Sequence, residues 1–456
     1  MQNQGTLARN DEITLPISSL GSEGQGIGRH EGMAVFVPFA LPGENAKVHI
    51  IKTAKNYAVG KLVELMEESP ERTEPRCPSF GRCGGCTLLH MAYPAQLQYK
   101  KTLVENAICR IGGVENPHVL PVIGMEEPFR YRNKASFPFA RVENQVCFGF
   151  YAPRSHRLIP IGDCFIEREE LVSVARAVQC YAEENDVSAY EETAGSGCLR
   201  HVVARVTTGG ELMAVIVTKG RPKKLERLVE TLRERCPGLV SIVLNRNDAD
   251  TNAIFGAEFE TLWGQDTVTE RLCGFTFQVS AASFLQVNPV QTEKLYETVE
   301  AFLPQQGVET ACDLYCGAGT ISMIISRHAN HVTGIENGKE AVEDAKRNAA
   351  RNGVGNARFL AKDAAVALPR LIKEGMRPQV IVADPPRKGM DPAVIEAILA
   401  SGAPRLIYVS CDPATLARDV KLLTQGGYRL EQAQPVDMFP QTAHVETIVL
   451  LQRENS

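Results

Sequence analysis

From Phe284 onward the chain alternates short β-rich runs with helical segments, and this alternation constrains its fold more than any other feature. Strands separated by helices pair in parallel, so the expectation is a doubly wound sheet with helices on both faces. Residues 310–315 form one such strand, which ends in Cys316-Gly317-Ala318-Gly319-Thr320 before an apolar helix over 321–326. A second strand, residues 331–335, ends in Glu336. Glycines let the backbone approach a ligand at the carboxyl edge of the sheet, and an acid about 20 residues on can accept both hydroxyls of a ribose.

Gly-x-Gly alone would also fit a dinucleotide fold. Asp313 before the turn and the incomplete third glycine position favour a compact cationic cofactor, such as a methyl donor, over a pyrophosphate. Two more acids fall where successive strands end: Asp363 after residues 358–362, and Asp384 after 380–383, opening Asp384-Pro385-Pro386-Arg387. Any one of these acids could simply cap a helix. Four polar strand tips in order mark the crevice at which such sheets bind ligands.

The next strand, 406–410, delivers Cys411, and Glu446 lies in His444-Val445-Glu446-Thr447. A thiol, a carboxylate and an activated methyl group together suit one reaction. Carbon 5 of a pyrimidine is a poor nucleophile until a thiolate adds to carbon 6; a base must afterwards take the carbon-5 proton so that the thiol can leave. Cysteine is a strong nucleophile and a good leaving group. Glutamate serves as the base if burial raises its pKa. Amino-group methyltransferases typically place an aromatic after Asp-Pro-Pro, where this chain has Arg387.

At 456 residues the chain needs two or three cores. The N-terminus (1–12) is polar and no run of 18 apolar residues occurs, so neither a secretory leader nor a membrane span is expected. Thirteen cysteines without those signals point to a reducing compartment, the cytoplasm, with thiols used for metal or catalysis. Short β-rich runs at 13–17, 34–37, 46–51 and 57–63, separated by glycine-rich turns such as 21–28, suggest a closed OB-like barrel. An acidic linker is expected over 64–74.

Cys77-x5-Cys83-x2-Cys86 follows in a loop rich in glycine and proline, with Cys164, after Gly162-Asp163, as the best fourth ligand. Four cysteines suit zinc or an iron–sulfur cluster, and the five-then-two spacing favours the cluster. A helix is expected over 95–111. A mixed α+β region follows, with helices at 169–184 and 223–235 and paired strands at 202–207 and 212–218. Between Glu127 and Pro160 six basic residues stand against two acids, with seven aromatics threaded among them. That composition fits an RNA-binding face, and equally a strand pair with a basic solvent side and an aromatic core side.

Over essentially its whole length the chain resembles the RNA uracil-5-methyltransferases that act on 23S ribosomal RNA, in particular members with a TRAM barrel and a four-cysteine cluster. The resemblance rests on residues 24–29, the four cysteines, Phe284-Leu285-Gln286-Val287-Asn288, 313–320, 384–389, Ser410-Cys411 and 444–447. It implies a multidomain α/β protein. A TRAM-like OB β-barrel would span 8–66, a mixed α+β central domain with the iron–sulfur site 69–282, and a Rossmann-like methyltransferase domain 283–456. It implies Cys411 as nucleophile and Glu446 as base, with Gln286, Tyr315, Thr320, Glu336, Asp363 and Asp384 around S-adenosylmethionine. Cys77, Cys83, Cys86 and Cys164 would hold a [4Fe–4S] cluster, and Arg130, Arg132, Lys134 and Phe284 would meet RNA. A soluble cytoplasmic monomer is expected, with the same reaction on a transfer-RNA uridine as the alternative. Two positions depart from the usual motifs: Asp412 replaces an Asn, with a raised Cys411 pKa as the expected consequence, and Leu285 replaces a second Phe.

Overall fold

The computed structural model describes residues 7–454; the polar segment 1–6 lies outside them. Strands β1 (Glu12–Leu20), β2 (Gly26–His30), β3 (Met33–Val37), β4 (Asn45–Thr53) and β5 (Tyr57–Glu67) close a barrel in the order β1-β2-β3-β5-β4, with β3 and β5 parallel. Two details differ from the sequence reading. Residues 26–28, read as part of a turn, lie in β2, and β5 runs on to Glu67 into the supposed linker. Gly28 serves close approach rather than a turn: a Cβ there would stand 2.4 Å from Leu15 Cδ1. Leu15, Ile17, Val35, Val37, Val48 and Ile50 fill the barrel.

Helix α1 (Tyr93–Arg110) follows the cysteine loop, yet its Val104 and Ile108 pack in one core with β-strand residues of the C-terminal sheet. The central strands are β6 (Lys134–Val142), β7 (Gln145–Tyr151) and β8 (Leu158–Pro160), then, after α2 (Glu169–Glu184), β9 (Leu199–Val206) and β10 (Leu212–Thr218). After α3 (Leu225–Arg235) come β11 (Leu239–Arg246) and β12 (Glu258–Gly264). They form one sheet in the order β12-β11-β10-β9-β6-β7-β8. Helices α2 and α3 cover one face of it. Phe137, Phe139 and Phe148 are buried there with Val178 and Tyr181, and Tyr131 is buried elsewhere, so four of the seven threaded aromatics are packing residues rather than a stacking platform. The opposite face shares a continuous core with the hairpin β13 (Thr267–Leu272) and β14 (Phe275–Ser280) and with the C-terminal unit.

That unit runs α4 (Pro289–Ala301), β15 (Val308–Leu314), α5 (Thr320–Ile325), β16 (Ala329–Glu336), α6 (Lys339–Arg351), β17 (Ala357–Ala361), α7 (Ala364–Lys373), β18 (Val380–Ala383), α8 (Pro392–Ser401), β19 (Arg405–Ser410), α9 (Pro413–Gln425), β20 (Tyr428–Val436) and β21 (Glu446–Arg453). The sheet order is β17-β16-β15-β18-β19-β21-β20. Its first five strands are parallel, as the alternation predicts, and the order reverses between β15 and β18, which opens a crevice at their carboxyl ends. The last pair breaks the pattern. No helix lies between β20 and β21, so no crossover is possible, and β21 inserts antiparallel between β19 and β20.

Candidate active site

That antiparallel insertion brings two distant residues together. Ser410 pairs with Thr447 in the β19–β21 register, so Cys411 and Glu446 are the next opposed positions, at the sheet's carboxyl edge. Glu446 is 4% exposed, and its carboxyl is pushed up to about 8 by burial first, then by Asp384, against Arg387. Cys411 is half-buried. Its thiol is pushed up to about 11 by burial, then by Glu446 and Asp384, and Arg387 opposes them. The expected influence of Asp412 is not among these largest causes. Its Oδ1 instead accepts from Ala414 N and Thr415 N (both 2.9 Å) as the N-cap of α9.

The loop leading into Glu446 is fastened from outside the sheet. Lys100 Nζ on α1, fully buried, donates to Asp437 Oδ1 (2.5 Å) and to Phe439 O (3.1 Å). Tyr93 OH donates to Asp437 Oδ2 (2.9 Å), Gln96 Nε2 to Gln441 Oε1 (2.9 Å), and Tyr131 OH to Pro440 O (3.0 Å). Thr87 N and Leu88 N, just past the cysteine loop, both donate to Gln441 O at 3.0 Å. The sequence reading missed this brace, because Lys100 looks like any helical lysine until Asp437 is placed beside it.

Around the glycine turn the acids divide into two groups. Asp363 Oδ1 accepts from Ala365 N (2.8 Å), capping α7. Glu336 instead turns toward the loop: Oε2 accepts from Gly317 N (3.1 Å) and Oε1 from Gly338 N (2.8 Å), which fixes it at the cofactor edge. Gly319, the N-cap of α5, has φ +84°, and a Cβ there would stand 3.0 Å from Ala345 Cβ, so only glycine fits. Thr320 begins α5 and Tyr315 sits half-buried, its φ of +65° in the left-handed region. Asp384 Oδ atoms have no hydrogen-bonding partner among the described residues, and burial pushes its carboxyl up to about 7. Asp313, the acid read before the turn, is fully buried and likewise pushed up to about 7 by burial; Oδ2 accepts from Ser322 Oγ (2.5 Å) while Oδ1 has no partner. Gln286 is half-buried in the 283–288 segment, and Phe284 protrudes, 75% exposed. Acids this costly to ionise, at the mouth of a crevice, suit a cationic ligand.

Cys77, Cys83, Cys86 and Cys164 line one cavity of about 280 Å³, together with Arg132, Glu167, Thr442 and His444. Burial, then the neighbouring thiols, raises the Cys86 pKa; burial, then Glu167, pushes Cys164 up to about 12. Among the described residues no three His, Cys, Asp or Glu side chains are disposed to hold a single metal ion. Four thiols facing one cavity are a donor set of the kind that holds zinc or an iron–sulfur cluster.

The cations assigned to RNA have different surroundings. Arg130 is engaged: it donates to Asp163 Oδ1 (2.9 Å) and Oδ2 (2.5 Å) and to Cys164 O (2.6 Å), holding the turn that carries Cys164. Arg132 lies 3.7 Å from Glu167 and over the Phe439 ring. Lys134 makes no hydrogen bond or ion pair among the described residues, and burial, then Arg205, pushes it down to about 8.

Residues 258–454 match the family described as tRNA (Uracil-5-)-methyltransferase, and residues 8–63 match the TRAM domain. An RNA methyltransferase of Halalkalibacterium halodurans is 44% identical over 457 residues, covering 100% of both chains. One from Clostridium tetani is 42% identical over 99% of this chain and 98% of its own. Among solved structures, the tRNA (uracil-54, C5)-methyltransferase of Pyrococcus abyssi in complex with S-adenosyl-L-homocysteine superposes with a TM-score of 0.79 at 26% identity, covering 96% of this chain and 100% of its own. Among the described residues no helix is long and apolar enough to cross a membrane.

Proposed function

This chain belongs to the S-adenosylmethionine-dependent RNA (uracil-5-)-methyltransferases that carry a TRAM domain, and we propose that it methylates carbon 5 of a uridine in 23S ribosomal RNA, acting as a cytoplasmic monomer. The observation that carries the mechanism is the register that sets Cys411 opposite Glu446 beside the β15/β18 crevice. When bound, S-adenosylmethionine supplies an electrophilic methyl sulfonium; Gln286, Tyr315, Thr320, Glu336, Asp363 and Asp384 are the residues that would hold it. The Cys411 thiolate adds to carbon 6 of the everted base, and the carbon 5–carbon 6 π electrons move onto the ring as an enolate. Carbon 5 takes the methyl group as the S–CH3 bond breaks, its electron pair staying on sulfur, so that S-adenosylhomocysteine leaves. Glu446 then removes the carbon-5 proton; the electrons of that bond re-form the double bond and expel the thiolate. Arg387, the cation acting on both residues, favours the ionised thiol and carboxylate.

Cys77, Cys83, Cys86 and Cys164 would hold a [4Fe–4S] cluster, whose chemistry there is to cross-link the loop to the 164 turn. Broad visible absorption in anaerobically purified protein, with about four irons per chain, supports the cluster; stoichiometric zinc without iron refutes it. The transfer-RNA alternative is favoured by the Pyrococcus abyssi likeness, which spans the barrel as well as the catalytic unit. Labelled S-adenosylmethionine with unmodified total RNA separates the two: 5-methyluridine in the 23S fraction supports the ribosomal reading, and label confined to transfer RNA replaces it with the alternative.

A further inference from the structure

Along β6, Ala135, Phe137 and Phe139 turn into the core under α2, whereas Arg132, Lys134 and Ser136 face the other way and remain half-exposed. On that second face Lys134 stands directly opposite Arg205 of β9 in the antiparallel register. Like charges directly opposed across two strands are destabilising. Little in the fold relieves this pair. Arg205 is 3% exposed; its Nη2 donates to Ser283 O (3.0 Å) and its Nη1 has no partner. Glu270 acts on Arg205 through space without an ion pair among the described residues, and its own carboxylate accepts from Thr208 N (3.0 Å), Thr208 Oγ1 and Arg271 N (3.0 Å). Buried Ser136 Oγ is also unpartnered. Asn133 N donates to Val287 O (2.8 Å), so this end of β6 is tied to the segment that presents Phe284.

We infer that Lys134 and Arg205 form the seat for one phosphodiester of the substrate RNA, beside the segment that presents Phe284. This rests on the reading of the substrate as RNA. An anion is what the pair lacks, and a phosphate oxygen is the anion that an RNA brings. The cofactor also carries a carboxylate, but the acids assigned to it stand at the tips of β15, β16 and β18, strands of the other sheet. The depressed pKa of Lys134 agrees: a bound phosphate restores its charge, so binding near pH 8.5 takes up a proton.

The test measures binding of the RNA fraction that accepts methyl label, between 50 and 300 mM KCl, together with S-adenosylhomocysteine affinity by calorimetry. Lys134→Met should weaken RNA binding about tenfold and lower the salt slope by about one ion. Lys134→Arg should restore both, Arg205→Gln, which keeps a donor for Ser283 O, should also lower the slope, and S-adenosylhomocysteine affinity should not move. Proton uptake at pH 8.5 should vanish in Lys134→Met. RNA binding with an unchanged slope in Lys134→Met overturns the inference alone. A loss confined to S-adenosylhomocysteine affinity overturns it in favour of the cofactor's carboxylate. Wild type that binds no RNA overturns the RNA reading and this inference together.

Discussion

Two regions of this molecule hold charge against their own interest, with opposite sign. At the carboxyl edge of the C-terminal sheet, Asp313, Asp384, Glu446 and Cys411 all have pKa values raised chiefly by burial. On the inner face of the central sheet, Lys134 and Arg205 have pKa values lowered, chiefly by burial. In each place the fold resists the charge that its ligand needs. On the proposed function, the comparison teaches that Asp313 and Asp384 suit a cationic methyl donor and the cations an anionic substrate. Asp363 and Asp412 instead cap helices α7 and α9, and Arg130 holds the turn that carries Cys164.

The comparison breaks most completely at the nucleophile. Cys411→Ala should cut turnover by at least about 10⁴-fold and abolish covalent trapping by 5-fluorouridine RNA, while S-adenosylhomocysteine still binds; a fully active variant removes the thiol from the mechanism. Glu446→Gln should lower turnover by roughly 10²–10⁴-fold and let the methylated adduct accumulate on gels. In wild type the base must be ionised when the methylated adduct breaks down, so kcat should rise with pH through about 8, the value to which Glu446 is pushed. A flat profile over that range would assign the proton to another group.

Lys100→Met tests the brace rather than the chemistry. Leaving Asp437 buried and unpaired should cost about 3–5 kcal/mol, seen as a lower denaturation midpoint. Asp384→Asn should do the reverse in the protein without cofactor. The folded-state pKa of Asp384 is raised to about 7, so its contribution is fully present below about 4 and is lost as pH rises through 7. The variant should therefore gain on wild type between pH 4 and 8, by on the order of 4 kcal/mol, while binding S-adenosylmethionine more weakly. The smallest effect belongs to Asp412→Asn. Both residues cap well, so stability and kcat/KM should each change by less than about threefold or 0.5 kcal/mol; a large rate gain would show that its charge does reach Cys411.

Much of this could be read without coordinates. The parallel core of the C-terminal sheet, the barrel, and helix 169–184 follow from periodicity and turn residues, because burial of one face imposes a repeat that the chain must carry locally. Cys411 and Glu446 were legible as residue types with a shared chemistry. Strand β2 was not, since its glycines resemble turn residues when the neighbours that crowd them are unseen. Nor was the aromatic stretch decidable: only the sheet's pairing shows that Phe137, Phe139 and Phe148 face α2.

The amino-acid sequence by itself determined the kind of fold, the reactive groups and the glycine turn at Gly319, since these depend on local pattern and on what each side chain can do. Tertiary structure alone decided that β21 enters antiparallel and sets Glu446 opposite Cys411, that Lys100 reaches Asp437, and that Lys134 faces Arg205. The residues in these pairs lie between 35 and 337 positions apart for the strand-end and buried ion-pair contacts, as Cys411 to Glu446 and Lys100 to Asp437 show. No local periodicity encodes such a meeting; it follows from which strands share an edge and which face each turns inward.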